Sequence, residues 1–265
     1  MAISIVQVDS FTQKPFAGNP AAVCVLPEAR PERWMRAVAR EMNLSETAFL
    51  VPENGGYHLR WFTPAVEVAL CGHATLASAH VLWQDGHLAP GTQARFRTLS
   101  GMLMADQRGE WIEMNFPAKL GTPVEAPAGM LAALGVEGEA LAVERNQFDY
   151  LVEVGSEERV EALAPDHSAL RKVEARGIIV TAKASMPGYD FVSRFFAPGS
   201  GIDEDPVTGS AHCALGPYWM AQLGKSEFMA YQASARGGTL RVQVAGDRVL
   251  LSGQAVTVMR AELLA

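Results

Sequence analysis

No stretch of the chain approaches the roughly 18 uninterrupted apolar residues of a membrane-spanning helix, because glycine, proline or a charge interrupts every longer run. No membrane partner is expected. Basic side chains are outnumbered and scattered: 22 Lys and Arg against 29 Asp and Glu give a formal charge of −7 and a pI near 5.4. A nucleic-acid footprint is therefore not expected, and any anionic ligand has to be held by local donors. Cysteine is scarce and odd in number, with Cys24, Cys71 and Cys213 alone, and the opening Met-Ala-Ile-Ser-Ile has neither the basic nor the apolar segment of a secretory leader. Free thiols in a reducing cytoplasm are the expectation. Also missing are a Gly-x-Gly-x-x-Gly opening a βαβ unit, a phosphate-binding Gly-Lys-Ser/Thr loop and a Gly-x-Ser-x-Gly elbow, so nucleotide-binding and serine-hydrolase functions lose their usual support. Local metal-ligand spacings such as Cys-x2-Cys or His-x3-His are absent too, and no metal is expected.

What is present is apolar material. Hydrophobic residues make up 49% of the 265 residues and charged ones 19%, enough for a sizeable core and too little charge for disorder. The length suits one large fold or two similar lobes.

Periodicity predicts strands at 3–8 and 21–26, joined across the turn signal Pro15-Phe16-Ala17-Gly18-Asn19-Pro20. Trp34, Met35, Val38, Ala39 and Met42 follow Pro31 at helical spacing and predict an amphipathic helix that delivers the chain to Asn43-Leu44-Ser45-Glu46. Strands at 48–51 and 57–62 precede Cys71-Gly72-His73, which opens a helix over about 74–83 with almost no polar side. Such a helix belongs at the centre of a fold. Strands at 94–99, 102–107 and 111–115 complete this half, and 117–127 reads as a connector, giving lobes 1–120 and 121–265. The second half predicts strands at 140–145, 150–154 and 177–182 and a helix at 156–164.

The halves also share a motif. Arg60-Trp61-Phe62-Thr63-Pro64 matches Arg194-Phe195-Phe196-Ala197-Pro198, 134 residues later, and each precedes a Gly-led apolar helix, Cys71-Gly72-His73-Ala74 or Thr208-Gly209-Ser210-Ala211. That period is too long for a solenoid and fits an internal duplication, whose lobes usually meet across a ligand-binding cleft.

The two helix entries offer backbone N–H donors and the positive end of a dipole for a carboxylate or oxyanion; equally, each glycine serves a tight strand-to-helix turn. Glu46 is a general acid–base candidate if an apolar surrounding raises its pKa, and a surface capping glutamate otherwise. His73 at a helix start is pushed towards neutrality, though a lone histidine is more often structural. Asp203-Glu204-Asp205-Pro206 crowds acids before the second helix, where they also complement its dipole. Cys71 beside His73 is a candidate nucleophile or acid, while Cys24 reads as a buried hydrophobe, and His58, His80, His87 and His167 as structural or surface residues without partners.

Four blocks carry a family resemblance: Val8-Asp9-Ser10-Phe11 with Phe16-Ala17-Gly18-Asn19-Pro20-Ala21-Ala22-Val23; Asn43 to Phe49; Phe62-Thr63-Pro64 with Cys71 to Leu76; and Asp205-Pro206-Val207-Thr208-Gly209-Ser210-Ala211. In that order, across nearly the whole chain, they resemble the PhzF family of phenazine biosynthesis. The resemblance implies an α+β, diaminopimelate-epimerase-like fold of two pseudo-symmetric lobes, each a β-barrel-like sheet around a central helix. It implies a cofactor-independent isomerase that moves a proton on a small cyclic or amino-acid-like carboxylate bound in the inter-lobe cleft, and it suggests a homodimer. Glu46 matches the family's proton-shuttling glutamate, His73 and Asp205 its polar partners, and Gly72, Gly209 and Ser210 its donors, with Ser45 a further substrate contact. Distant epimerases use two opposed cysteines; here Cys71 stands at one position and Thr208 at the other, which disfavours a two-thiol mechanism. The alternatives are an amino-acid racemase or epimerase using Cys71, and a non-catalytic small-molecule binding protein.

Overall fold

A computed structural model describes residues 3–264. Its elements in chain order are β1 (Ile3–Ser10), β2 (Asn19–Val25), α1 (Glu32–Met42), β3 (Glu46–Glu53), β4 (Gly56–Phe62), β5 (Glu67–Val68), α2 (Gly72–Gln84), β6 (Ala94–Thr98), β7 (Gly101–Arg108) and β8 (Trp111–Pro117). The chain continues with β9 (Thr122–Pro123), α3 (Met130–Leu134), β10 (Ala142–Arg145), β11 (Asp149–Glu153), α4 (Glu157–Glu161), α5 (His167–Leu170), β12 (Gly177–Lys183) and β13 (Phe191–Phe196). It ends with α6 (Gly209–Leu223), β14 (Glu227–Gln232), β15 (Gly238–Ala245), β16 (Arg248–Gly253) and β17 (Ala255–Leu263).

Two compact units result, one running to Asn115 and resuming at Ser252, the other Phe116–Leu251. A simple cut at 120 therefore misplaces the C-terminus. The physical reason is β17, which pairs antiparallel along the whole of β1, from Ile3 opposite Leu263 to Ser10 opposite Ala255.

In the first unit β1 and β2 form an antiparallel pair, Val8 opposite Ala21. The chain crosses through α1 so that β3 lies parallel to β2, Ala21 opposite Glu46, and then turns back antiparallel as β4, Thr47 opposite Phe62. A second crossover through α2 brings β6 parallel to β4. The second unit repeats this grammar: β10 with β11 antiparallel, β11 with β12 parallel and Asp149 opposite Gly177, β12 with β13 antiparallel and Ile178 opposite Phe196, and β14 parallel to β13 beyond α6.

Helix α1 buries Met35, Val38 and Ala39 against Ile5, Cys24, Phe49 and Phe62. It stops where Asn43 takes the left-handed conformation, φ 50°, and donates its N–H to the Ala39 carbonyl. That stop lets Glu46 begin the next strand.

Helices α2 and α6 are apolar nearly all round, and both are buried, as expected of such helices. Helix α2 packs on β1, β2, β3, β7 and β17. In α6, Trp219 stacks on Phe191 of β13 with ring centroids 5.7 Å apart, donates from its indole N–H to Thr181 Oγ1 of β12 at 3.0 Å, and Tyr218 reaches Glu153 of β11. Pro217 inside α6 has no N–H for the Cys213 carbonyl; the Lys119 backbone N–H supplies it instead at 2.9 Å.

Candidate functional site

The first unit gathers its reactive groups at the start of α2. Glu46, 9% exposed, is the first residue of β3, and His73, 6% exposed, lies in the first turn of α2. His73 Nε2 is 3.3 Å from Glu46 Oε2, and His73 Nδ1 is 3.5 Å from Cys71 Sγ. The ligand atoms of all three side chains lie within 4.8 Å of one another.

Burial pulls the His73 imidazole down to about 4, an effect only partly offset by the Pro20 carbonyl, which accepts a hydrogen bond from the ring. At neutral pH it is an uncharged group that can take a proton or give one. Its backbone is anchored by Ser10, whose hydroxyl donates to the His73 carbonyl at 2.8 Å. Cys71 caps the helix in extended conformation without a side-chain capping bond, and its carbonyl accepts from the Thr75 N–H and hydroxyl at 3.2 and 2.5 Å. Gly72 follows as the first helical residue, so its N–H is among those a helix leaves without intrahelical partners. Ser45 is half-buried immediately before Glu46.

The second unit builds a different helix entry. Thr208 occupies the position of Cys71, and its hydroxyl donates to Asp205 Oδ2 at 2.6 Å. Gln232, fully buried, locks this turn: its side-chain carbonyl accepts the Thr208 N–H at 2.8 Å and its amide donates to the Asp205 carbonyl at 2.8 Å. Gly209 is buried and Ser210 half-buried in the first turn of α6. One turn on, His212 holds the Thr208 carbonyl through Nδ1 at 2.8 Å, and burial pulls its imidazole to about 4 as well.

Aligning the repeated strands by their shared Arg-x-Phe motif places Phe62 with Phe196, hence Thr47 with Ile178 and Glu46 with Gly177. The carboxylate has no counterpart in the second unit. A Cβ at Gly177 would lie 2.2 Å from the Phe195 ring, so that space is already filled.

The acidic run before α6 separates into three arrangements. Glu204 pairs bidentately with Arg194, Asp203 lies 3.2 Å from Arg171, and Asp205 takes the Thr208 hydroxyl. Pro206 precedes the Thr208 cap rather than opening the helix. Cys24 and Cys213 are free, and burial pushes both thiols up to about 12, which leaves them protonated. His80, expected to have no partner, sits 3.1 Å from Thr257 Oγ1. Gln232 and the anchoring role of Ser10 escape sequence reasoning, because neither belongs to a local pattern around the glycines.

Residues 8–261 match the PhzC-PhzF family, described as phenazine biosynthesis-like protein. A relative named as an uncharacterized isomerase of Halalkalibacterium halodurans is 56% identical over all of this chain and 99% of its own. The crystal structure of a phenazine biosynthesis protein PhzF family member from Enterococcus faecalis superposes with a TM-score of 0.95 at 41% identity, covering 100% of both chains. A hydroxyproline epimerase from Agrobacterium vitis, 12% identical with a TM-score of 0.64 over 99% of this chain and 92% of its own, shares the fold alone. These matches bear out the α+β epimerase-like architecture and make the chain an isomerase in class. A family match along nearly the whole sequence, joined to relatives of such identity, means that the chain belongs to the PhzC-PhzF family of phenazine biosynthesis-like proteins.

Proposed function

We propose that this isomerase moves a proton between two carbons of a small cyclic or amino-acid-like carboxylate, without a cofactor, using Glu46 as the sole proton carrier. The observation that carries this is the asymmetry of the repeat: Glu46 faces a neutral imidazole at 3.3 Å in one unit, whereas the equivalent position in the other is Gly177. One buried carboxyl beside a neutral histidine, with no second carboxyl at the equivalent position, suits abstraction at one carbon and return at another by the same group. His73 is the neutral polar partner that faces the Glu46 carboxyl and holds it in place. Gly72 offers an N–H donor for developing negative charge. Asp205 joins Glu46 and His73 as a catalytic partner, and Gly209 and Ser210, with Ser45, complete the proposal as substrate contacts, roles supported by their match to the family motif.

The test is a mass-spectrometric screen of cyclic and amino-acid carboxylates in D2O with wild type and Glu46→Gln. A compound that gains deuterium only with the wild type identifies both the substrate and the carrier. Deuterium uptake that persists in Glu46→Gln removes Glu46 from that role.

The contact between Cys71 and His73 favours a second reading, an amino-acid racemase in which the thiol is the acid or base. Cys71→Ser separates the two, because only the racemase depends on the sulfur.

A further inference from the structure

The hairpin that joins β1 to β2 carries two aromatic residues in the left-handed conformation, Phe11 with φ 65° and Phe16 with φ 71°. Bulky side chains adopt that backbone only where the surroundings impose it. For Phe11 the ring accounts for it: it is fully buried, and a Cβ on Gly253 would lie 2.3 Å from it. The Phe16 ring has no such explanation, being 80% exposed.

Considerable structure is nonetheless spent on holding Phe16 in place. Its N–H is taken by Asp9 Oδ2 at 2.7 Å, a carboxylate that is itself 1% exposed and would be costly to bury without such bonds. Gly18 closes the turn with φ 63°, where a Cβ would lie 2.1 Å from the Ser10 carbonyl oxygen. The root of the hairpin is bound to the reactive cluster: Ser10 pairs with Asn19 and donates to the His73 carbonyl, Asp9 pairs with Pro20, the Pro20 carbonyl accepts from the His73 ring, and Ala21 lies opposite Glu46. An exposed aromatic ring thus stands on a turn whose backbone is tied by Asp9 and Gly18 and whose strand ends bond His73 and pair with Glu46.

We propose that Phe16 is a substrate-binding residue that lays its ring against the apolar face of a ring-shaped carboxylate and so selects cyclic substrates over open-chain ones. The proposal deepens the Glu46 reading and rests on it for the location of the substrate. Its test is binding rather than turnover. Titration calorimetry with benzoate and with hexanoate is compared for wild type, Phe16→Ala and Phe16→Tyr. The expected result is a Kd for benzoate about tenfold weaker in Phe16→Ala, restored in Phe16→Tyr, with hexanoate unchanged throughout. Benzoate binding that is equal in wild type and Phe16→Ala, or absent from wild type, overturns it. Thermal unfolding separates a structural role: because alanine removes a strained bulky residue and no buried contact, Phe16→Ala is expected to unfold no earlier than wild type, and a Tm lowered by several degrees with unchanged affinities contradicts the proposal. Exchange activity retained by Glu46→Gln would sink the proton-carrier reading while leaving the benzoate difference intact.

Discussion

At the residue scale the chemistry turns on what burial does to a few side chains. His73 and Glu46 are held 3.3 Å apart in a nearly closed setting, and desolvation disfavours the imidazolium. His73 therefore stays neutral on lowering the pH until about 4, two or more units below an exposed histidine. Nitrogen-15 chemical shifts of the His73 ring across pH 7 to 4 check this; a midpoint near 6.5 would show the ring to be solvated and the cluster open. By the same token, an acid limb in the activity profile above pH 5 must come from another group. Glu46 itself was only half legible in the sequence. Local residues do not distinguish a capping glutamate from one turned inward, and what decides is that α1 is capped at Asn43, three residues before Glu46, which opens β3 instead. Cys71 and His73 were visible as neighbours, but their separation of 3.5 Å depends on the extended conformation of Cys71, which no composition rule supplies.

At the element scale the duplication is carried by a structural bracket that the shared motif announced. Arg60 pairs bidentately with Glu67 and lies 5.0 Å over the Phe62 ring; Arg194 pairs with Glu204 and lies 4.9 Å over Phe196. Arg194 also donates to the Leu163 carbonyl at 2.7 Å, just beyond α4. Lysine keeps the charge and loses the fork, so Arg194→Lys is expected to cost about 2 kcal/mol, read as a shift in the urea midpoint. A change below a few tenths would mean the bracket is ornamental. Gly18→Ala is expected to cost about 3 kcal/mol, since it combines a left-handed backbone with a Cβ pressed on the Ser10 carbonyl; an unfolding curve that matches wild type would disprove that close approach. The buried helices α2 and α6 were legible because they lack a polar face. Strand β17 was not, since its burial shows no alternation from Ala255 to Leu263 and its identity comes from a partner at the opposite end of the chain. The short helices α3 and α5, of 5 and 4 residues, are too brief for periodicity to register.

At the scale of the whole molecule, each unit carries one buried neutral histidine at its central helix entry, His73 or His212. Both have folded-state values of about 4, below the ordinary 6.5 of the unfolded chain. Between those values the unfolded chain binds more protons, so stability is full above pH 6.5 and falls as the pH drops towards 4, by about 3 kcal/mol per histidine at most. Urea unfolding at pH 7.5 and 4.5 measures the loss, and His212→Gln is expected to lose less over that interval than wild type. An equal loss would take His212 out of the linkage. The expected homodimer is a separate property of the assembly, and sedimentation at low concentration reads it directly. The choice of Glu46 over Cys71 as the proton carrier is most directly tested by following deuterium exchange at the substrate's reacting carbon in wild type, Glu46→Gln and Cys71→Ser side by side. A single carrier predicts that Glu46→Gln loses about 10²–10⁴-fold in rate while Cys71→Ser stays within a few fold; exchange that survives in Glu46→Gln and disappears in Cys71→Ser would contradict it.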